Sequence, residues 1–309
     1  MNKPELLVTP TCLEDVEPLI DAGATAFLIG EEEFGLRLAG EFKKEDIVKA
    51  VNIAHKQGAK VYVAMNALFH NDKLQLLPEY IQFLNEIHVD AIVFGDPAVL
   101  MNVREYAPNM KLHWNTETTA TNWYTANYWG RKGAKRTVLA RELNMDAILE
   151  IKEEAKVEIE VQVHGMTCMF QSKRMLLGNY MEFQGKDLKV EGHSKDRSLF
   201  LHDPERDAKY PIWEDKNGTH IMSPKDICII DELEEMIDEG VDSFKIDGIL
   251  KDREYLLKIT SLYREAIDLY IEDAAAYSDK KDEFVEEVKA IQPPNRDIDT
   301  GFFFKETVY

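Results

Sequence analysis

The chain has 309 residues, with 37 Lys and Arg against 57 Asp and Glu, a formal charge of −20; 45% of it is hydrophobic. That balance excludes a disordered or fibrous chain, and it argues against a general nucleic-acid coat, because such a charge repels phosphate at long range. No apolar run reaches the roughly 20 residues of a membrane helix. The opening Met1-Asn2-Lys3-Pro4-Glu5 has no apolar signal-peptide core, so the expectation is a cytoplasmic protein with neither a membrane nor DNA as partner.

In chain order, a strand over 5–9 precedes a helix over 13–22 that stops at Gly23, and a buried strand follows over 25–29. An amphipathic helix over 44–57, stopped by Gly58, leads to a strand over 60–65. Helix and strand then alternate: 76–87, 90–94, 98–106, 111–115, 121–132, 135–140, 145–154 and 158–163. A helix over 231–239 introduces an eighth strand over 243–247. Short apolar strands between helices predict the α/β class and a (β/α)8 TIM-like barrel over 1–277. An open doubly wound sheet is the alternative; no GxGxxG follows any strand, which weakens a dinucleotide-binding version.

Residues 166–224 interrupt the pattern between strands seven and eight with mixed polar, aromatic and basic content. They predict a subdomain inserted on the C-terminal face of the barrel, where insertions shape substrate sites. A long helix is expected over 254–277. Residues 278–309 read as a charged linker and an aromatic tail, whose Phe302-Phe303-Phe304 docks on the barrel or on a partner.

Alternate strand residues of a barrel point inward. The seventh strand puts Glu158, Glu160, Gln162 and His164 on one face; the eighth puts Ser243, Lys245 and Asp247 on one face. Barrel interiors are normally packed with branched apolar side chains, so polar inward faces near strand ends mark a site. His164, Lys245 and Asp247 are the leading candidates, with a buried Lys245–Asp247 bridge as the structural alternative. The other strand ends add Arg141-Glu142, Asn115 and Glu117 (in period with His113), Asn66 and Asp96. Each is taken singly as a loop or turn residue and together as a polar ring.

There is no HExxH and no GxSxG. Cys168 with His164 or His113 can be drawn as a thiol–imidazole pair, although a buried structural cysteine is the commoner case. Cys12, Cys168 and Cys228 are far apart and form no CxxC; three thiols cannot supply a four-thiolate iron–sulfur site alone. Lys173-Arg174, inside the insertion, are candidate phosphate contacts. Arg131-Lys132 sit at a helix C-terminus, where cations favour the dipole. Trp114, Trp123, Tyr124, Tyr128 and Trp129 read as core or interface rather than a base-stacking platform.

Ordered stretches along nearly the whole chain resemble peptidase family U32, the collagenase-like proteins. They are Pro4-Glu5-Leu6-Leu7, Lys60-Val61-Tyr62-Val63 with Asn66, Asp96-Pro97, Val138-Leu139-Ala140-Arg141-Glu142-Leu143, Val163-His164-Gly165 with Cys168, Ser172 with Arg174 and Asn179-Tyr180, Lys225-Asp226-Ile227-Cys228, Asp242 to Gly248, Tyr263-Arg264 and Thr300-Gly301-Phe302. Within the family the chain is most similar to the proteins of tRNA 5-hydroxyuridine synthesis, an oxygen-independent hydroxylation that draws on prephenate. Full-signature members carry four cysteines for an iron–sulfur cluster. Here Cys168 matches the first, Met175 stands at the second, the later pair is missing over 198–206, and Asp247-Gly248-Ile249 replaces Glu-Gly-Arg.

The resemblance implies a component of wobble-uridine hydroxylation that binds no cluster by itself. It would work with tRNA, with a cysteine-complete U32 paralogue that holds the cluster, and with prephenate as co-substrate. His164, Arg141, Glu142, Lys245 and Asp247 would be catalytic; Asn66, Asp96, Asn115, Glu117, Lys173 and Arg174 would bind substrate. The alternatives are a U32-type peptidase and a non-catalytic barrel that positions tRNA or a partner.

Overall fold

The computed structural model describes residues 3–186, 199–294 and 296–306. The chain starts with β1 (Glu5–Val8), α1 (Val16–Asp21), β2 (Ala26–Ile29), α2 (Lys44–Lys56), β3 (Lys60–Met65) and α3 (Leu77–Glu86). It continues with β4 (Ala91–Phe94), α4 (Pro97–Tyr106), β5 (Leu112–Trp114), α5 (Trp123–Arg131), β6 (Ala134–Val138), α6 (Met145–Glu154) and β7 (Glu158–Gly165). The insertion contains β8 (Cys168–Ser172), α7 (Leu176–Phe183), β9 (Phe200–Asp203), β10 (Ala208–Asp215) and β11 (Gly218–Met222). The chain then forms β12 (Asp226–Cys228), α8 (Glu234–Asp238), β13 (Ser243–Ile246), α9 (Arg253–Glu272), α10 (Ala274–Ile291) and β14 (Ile298–Asp299).

Strands β1 to β7 pair in sequence order, all parallel, and β13 closes the ring by pairing with both β7 and β1. This is the eight-stranded α/β barrel the alternation predicts. Strand β12 adds an antiparallel edge to the end of β7, and β14 lies parallel beside β12. The outward residues of the strands, such as Leu6, Val8, Phe27, Val61 and Phe244, join the inner faces of the helices in one apolar layer. Water exclusion from that layer is the main stabilising term of the fold.

The interior is divided. Strands β1 to β4 fill one side with Leu7, Ala26, Leu28, Tyr62, Ala64, Ala91 and Val93. The opposite side is polar. Arg136 of β6 sits near the base, 2.6 Å from Glu5, 2.8 Å from Glu158 and 3.3 Å from Glu160, while Tyr62 donates to Glu5 at 2.6 Å. One guanidinium shared by three carboxylates closes the base as a bonded plug. The polar faces predicted for β7 and β13 do point inward at Glu160, Gln162, Ser243 and Lys245.

His164 does not. The pairing of β13 with β7 shifts between Lys245 and Ile246, so His164 stands opposite the outward-facing Ile246. A one-residue slip reverses the face of everything beyond it. His164 is fully buried behind the wall, with its Nε2 2.7 Å from the hydroxyl of Tyr255 and its Nδ1 3.4 Å from that of Tyr263, both on α9.

The helix expected over 254–277 is two helices. Asp273 has extended backbone between them and accepts the backbone N–H of Ala275 and Ala276, which starts α10. Charged residues 278–289, expected as a linker, lie in α10. Their charges are solvated while Tyr277, Phe284 and Val288 are buried with α9 residues. Of the three phenylalanines, Phe303 docks on the barrel, with its carbonyl accepting from Met145 N at 2.8 Å; Phe302 and Phe304 are exposed.

The insertion is an antiparallel sheet in the order β8-β11-β10-β9 with α7 packed on it. The carboxylate of Glu214 accepts the N–H groups of Leu177 and Gly178, fixing the start of α7. The β10–β11 hairpin turns at Lys216-Asn217, and Gly218 opens β11 opposite Asp215. Gly218 has φ +106°, and a Cβ there would come within 1.9 Å of the Ser172 carbonyl, so only glycine fits.

Candidate functional site

The C-terminal mouth of the barrel holds a closed polar pocket. Asn66, Asn115, Glu117, Arg141, Lys245 and Asp247 line it, so six of the eleven residues selected from sequence converge there. Met166, Met222 and Ile249 also line it, and about 20 Å³ is left inside, close to the space one water requires.

Two ion-pair systems face each other. On one side Glu117 accepts from Arg141 at 3.0 Å and from Arg37 through Nη2. On the other, Lys245 Nζ lies 2.9 Å from Asp247 Oδ2, while Asp247 Oδ1 accepts the Ile249 N–H at 3.1 Å. Thr9 accepts from Gly248 N at 2.6 Å and holds the turn beneath Asp247. Gly165, at φ +103°, allows this turn to close on β7, because a Cβ there would lie 2.4 Å from the Asp247 carbonyl.

Burial alone would raise the Glu117 carboxyl, but the charges of Arg141, Arg37 and Lys245 override it and hold the group down at about 2. Glu117 is therefore an anion at neutral pH, suited to orienting cations rather than to donating a proton. The Asn115 side chain accepts the Glu117 N–H at 2.9 Å and fixes its backbone at φ +65°, a left-handed conformation unusual for glutamate.

Arg37 is the residue that the sequence reading missed. It lies in the loop after β2 and has φ +51°. Two distant amides hold that loop: Asn66 Oδ1 accepts Leu36 N–H at 2.9 Å, and Asn217 of the inserted hairpin donates to the carbonyls of Glu32 and Gly35 at 2.9 and 3.2 Å. The insertion thus helps to place a charged side chain in the barrel mouth.

Four predicted residues lie elsewhere. Asp96 caps α4, accepting Ala98 N–H at 2.8 Å, and also takes the Phe69 N–H. Glu142 is exposed beyond β6, outside the pocket lining. Lys173 and Arg174 are exposed on the insertion, free of the mouth and open to contacts from outside.

His164, the fifth, belongs to the cluster behind the wall. Burial, reinforced by Lys251 and Arg296 and opposed by Asp226, holds its imidazole down at about 3. In the folded chain it is neutral, while the unfolded chain takes up a proton near pH 6.5. Folding stability is therefore full above that pH and falls as pH drops from 6.5 towards 3. His164 by itself contributes a loss of about 2 kcal/mol between pH 7 and pH 5, and His113, whose imidazole burial and Arg136 hold well below its ordinary value, adds a loss of the same sign. His164→Gln is expected to remove its own share of the slope measured by urea unfolding and to leave that of His113; an unchanged slope would exclude His164, whereas Glu117 loses its contribution only as pH falls below 4.5 towards 2.

The thiol–imidazole pair is not assembled. His164 is bonded to the tyrosines of α9, and His113 is buried against Tyr62, 4.6 Å between ring centroids. Cys168 donates to the Phe170 carbonyl at 3.4 Å, and burial pushes its thiol up although Arg37 and Arg141 are near. A protonated thiol is a poor nucleophile. Cys228 lies behind the wall, 3.7 Å from the Tyr263 hydroxyl, and Cys12 lies beside Arg253. The three thiols are thus dispersed and do not fit a four-thiolate cluster. Among the described residues no three His, Cys, Asp or Glu side chains are grouped to hold a metal ion.

Residues 11–308 match the sequence pattern of peptidase family U32. The chain belongs to this family. It is 69% identical over its full length, and over the full length of the relative, to tRNA hydroxylation protein P2 of Bacillus subtilis (strain 168). It is 34% identical to tRNA hydroxylation protein P1 of the same organism, covering 98% of this chain and 71% of that protein. The fold is similar to that of a dihydrodipicolinate synthase, with a TM-score of 0.51 at 11% identity, covering 94% of this chain and 85% of the other; that likeness concerns the barrel alone. No helix among the described residues is long and apolar enough to cross a membrane.

Proposed function

We infer that this U32-family chain acts in tRNA hydroxylation, at C5 of the wobble uridine, as the cluster-lacking member of a pair with a cysteine-complete U32 paralogue. The observation that carries this reading is the end-to-end likeness to a protein named for tRNA hydroxylation, in an organism that also holds a second such protein. The mouth pocket supplies the site: a substrate group enters where Arg141, Lys245, Glu117 and Asp247 converge. These side chains bind and orient it, and the closed roof excludes water once it is in place. Lys173 and Arg174, exposed on the insertion, are placed to meet RNA phosphate while the acidic remainder of the surface repels it.

The iron–sulfur cluster in this reading belongs to the partner. Cells in which Cys168→Ser replaces the natural chain are therefore expected to keep tRNA 5-hydroxyuridine derivatives within about twofold of wild type, when nucleosides are quantified by mass spectrometry. A loss as large as that on deleting the gene would return a cluster ligand to this chain and contradict the division of labour.

A further inference from the structure

We propose that Arg37 is the anchor of an oxyanion-binding site in the barrel mouth, taking a carboxylate or phosphate group carried by a small molecule. The proposal rests on the reading of the mouth as the substrate site and names the chemistry that site accepts.

Three observations carry it. The Arg37 side chain is only 7% exposed and lines the pocket, yet its Nε and Nη1 have no hydrogen-bond partner among the described residues; Nη2 alone is engaged, by Glu117. A buried guanidinium with unmet donors is costly unless something else accepts from them. Secondly, the charged residues lining the pocket are Arg37, Arg141 and Lys245 against Glu117 and Asp247, three cations to two anions, which leaves one positive charge uncompensated. Thirdly, Arg37 and Glu117 are both held at positive φ, and Asn66 and Asn217 hold the Arg37 loop from two directions. Strain maintained by that much support is a mark of a functional position.

The chemistry of the ligand follows from the donors. Guanidinium nitrogens donate charge-assisted bonds to the oxygens of a carboxylate or phosphate; Nε shares its edge with Nη2, which Glu117 occupies, so the ligand is held by Nε–H and Nη1–H singly or takes Nη2 from Glu117. The ligand is small because the pocket is nearly full, and it enters by displacing the unbranched, adaptable side chains of Met166 and Met222. A polynucleotide backbone does not fit beneath that roof.

The test uses the full purified chain and two probes, succinate and inorganic phosphate, with binding followed by isothermal titration. Saturable one-to-one binding of either probe is expected. Succinate alone identifies a carboxylate site, and phosphate alone a phosphate site. Glu117→Gln, which releases Arg37 and removes one negative charge, is expected to tighten binding about tenfold. Arg37→Gln should abolish binding, and Arg37→Lys, which keeps the charge without the fork, should weaken it at least tenfold. Circular dichroism and urea unfolding check that each variant is folded. If neither probe binds the folded wild-type chain, or if Glu117→Gln weakens binding while folded, Arg37 is a structural partner of Glu117 and the proposal fails. Because no tRNA is involved, failure here leaves the hydroxylation reading standing, and failure of that reading leaves the anion site standing.

Discussion

Asp226→Ala is expected to destabilise the chain by about 3–5 kcal/mol, the range for removing one partner from a buried ion pair. Asp226 is fully buried and receives Lys251, both Nε and Nη2 of Arg296 at 2.8 and 2.6 Å, and Gln292 at 3.1 Å. Burial would raise its carboxyl, but the two cations hold it far below the ordinary range. Without it, Lys251, whose side chain is 1% exposed and whose ammonium burial already pushes below the ordinary lysine value, must either hold an unpaired buried charge against the face of Tyr255, 4.7 Å away, or give up its proton. Arg296 keeps the carbonyls of Ser223 and Pro224 and suffers less. The cluster joins Gln292 and Arg296 to β12 and to the loop after β13, on the side of the wall opposite the pocket. Urea unfolding at pH 7 measures the effect; a loss below about 1 kcal/mol would mean that water reaches Lys251 and that the pair is not truly buried.

Lys245→Met is expected to lower tRNA hydroxylation in cells on the order of a hundredfold, the scale for removing one preorganised charged group from a water-excluded site. Methionine preserves most of the side-chain volume. Asp247 keeps the Ile249 N–H, and its hydroxyl neighbour Thr9 stays 3.5 Å away, so the turn after β13 is retained. The positive charge between Asp247 and Glu117 is what disappears. Because Lys245→Met also leaves the buried Asp247 carboxylate without its cation, a stability loss of up to about 3–5 kcal/mol is expected, and normal expression with a cooperative urea transition would separate a lost function from a lost fold. Full hydroxylation with the variant would remove Lys245 from the site and favour a barrel that only positions tRNA or a partner.

The inward polar faces were legible because strand alternation has a fixed period. Glu160, Gln162 and Lys245 obey it, and they led to the right end of the barrel. His164 broke the rule because a single irregularity between Lys245 and Ile246 turned it to the other side of the wall, and nothing in the local sequence marks that irregularity. Asp96 carried its signal openly: an aspartate directly before proline at a helix start is a cap, which agrees with its reading as a single loop or turn residue and not with its place in the polar ring. Asp273 before three alanines was the same signal, missed inside a longer apolar pattern. Arg37 was not legible at all. It lies in a loop with no period, and the amides that hold it come from residues 66 and 217. Only the folded chain brings a strand end, an inserted hairpin and that loop together.

Family membership and the candidate site also differ in how they were readable. The U32 resemblance rested on ordered motifs spread along the chain, and the match over 11–308 agrees with it. The site depends on side chains 80 to 238 positions apart, as in the contacts of Arg37 with Glu117 and of Thr9 with Asp247. Motif order survives as sequence; such convergence does not.

The central claim is tested most directly by mass spectrometry of tRNA nucleosides from cells lacking this gene, with the cysteine-complete paralogue present or also deleted. The expected result is loss of 5-hydroxyuridine derivatives on deleting this gene alone, restored by the wild-type chain and not by Lys245→Met. An unchanged nucleoside profile in every combination would contradict the tRNA reading and turn attention to the peptidase activity for which the family is named.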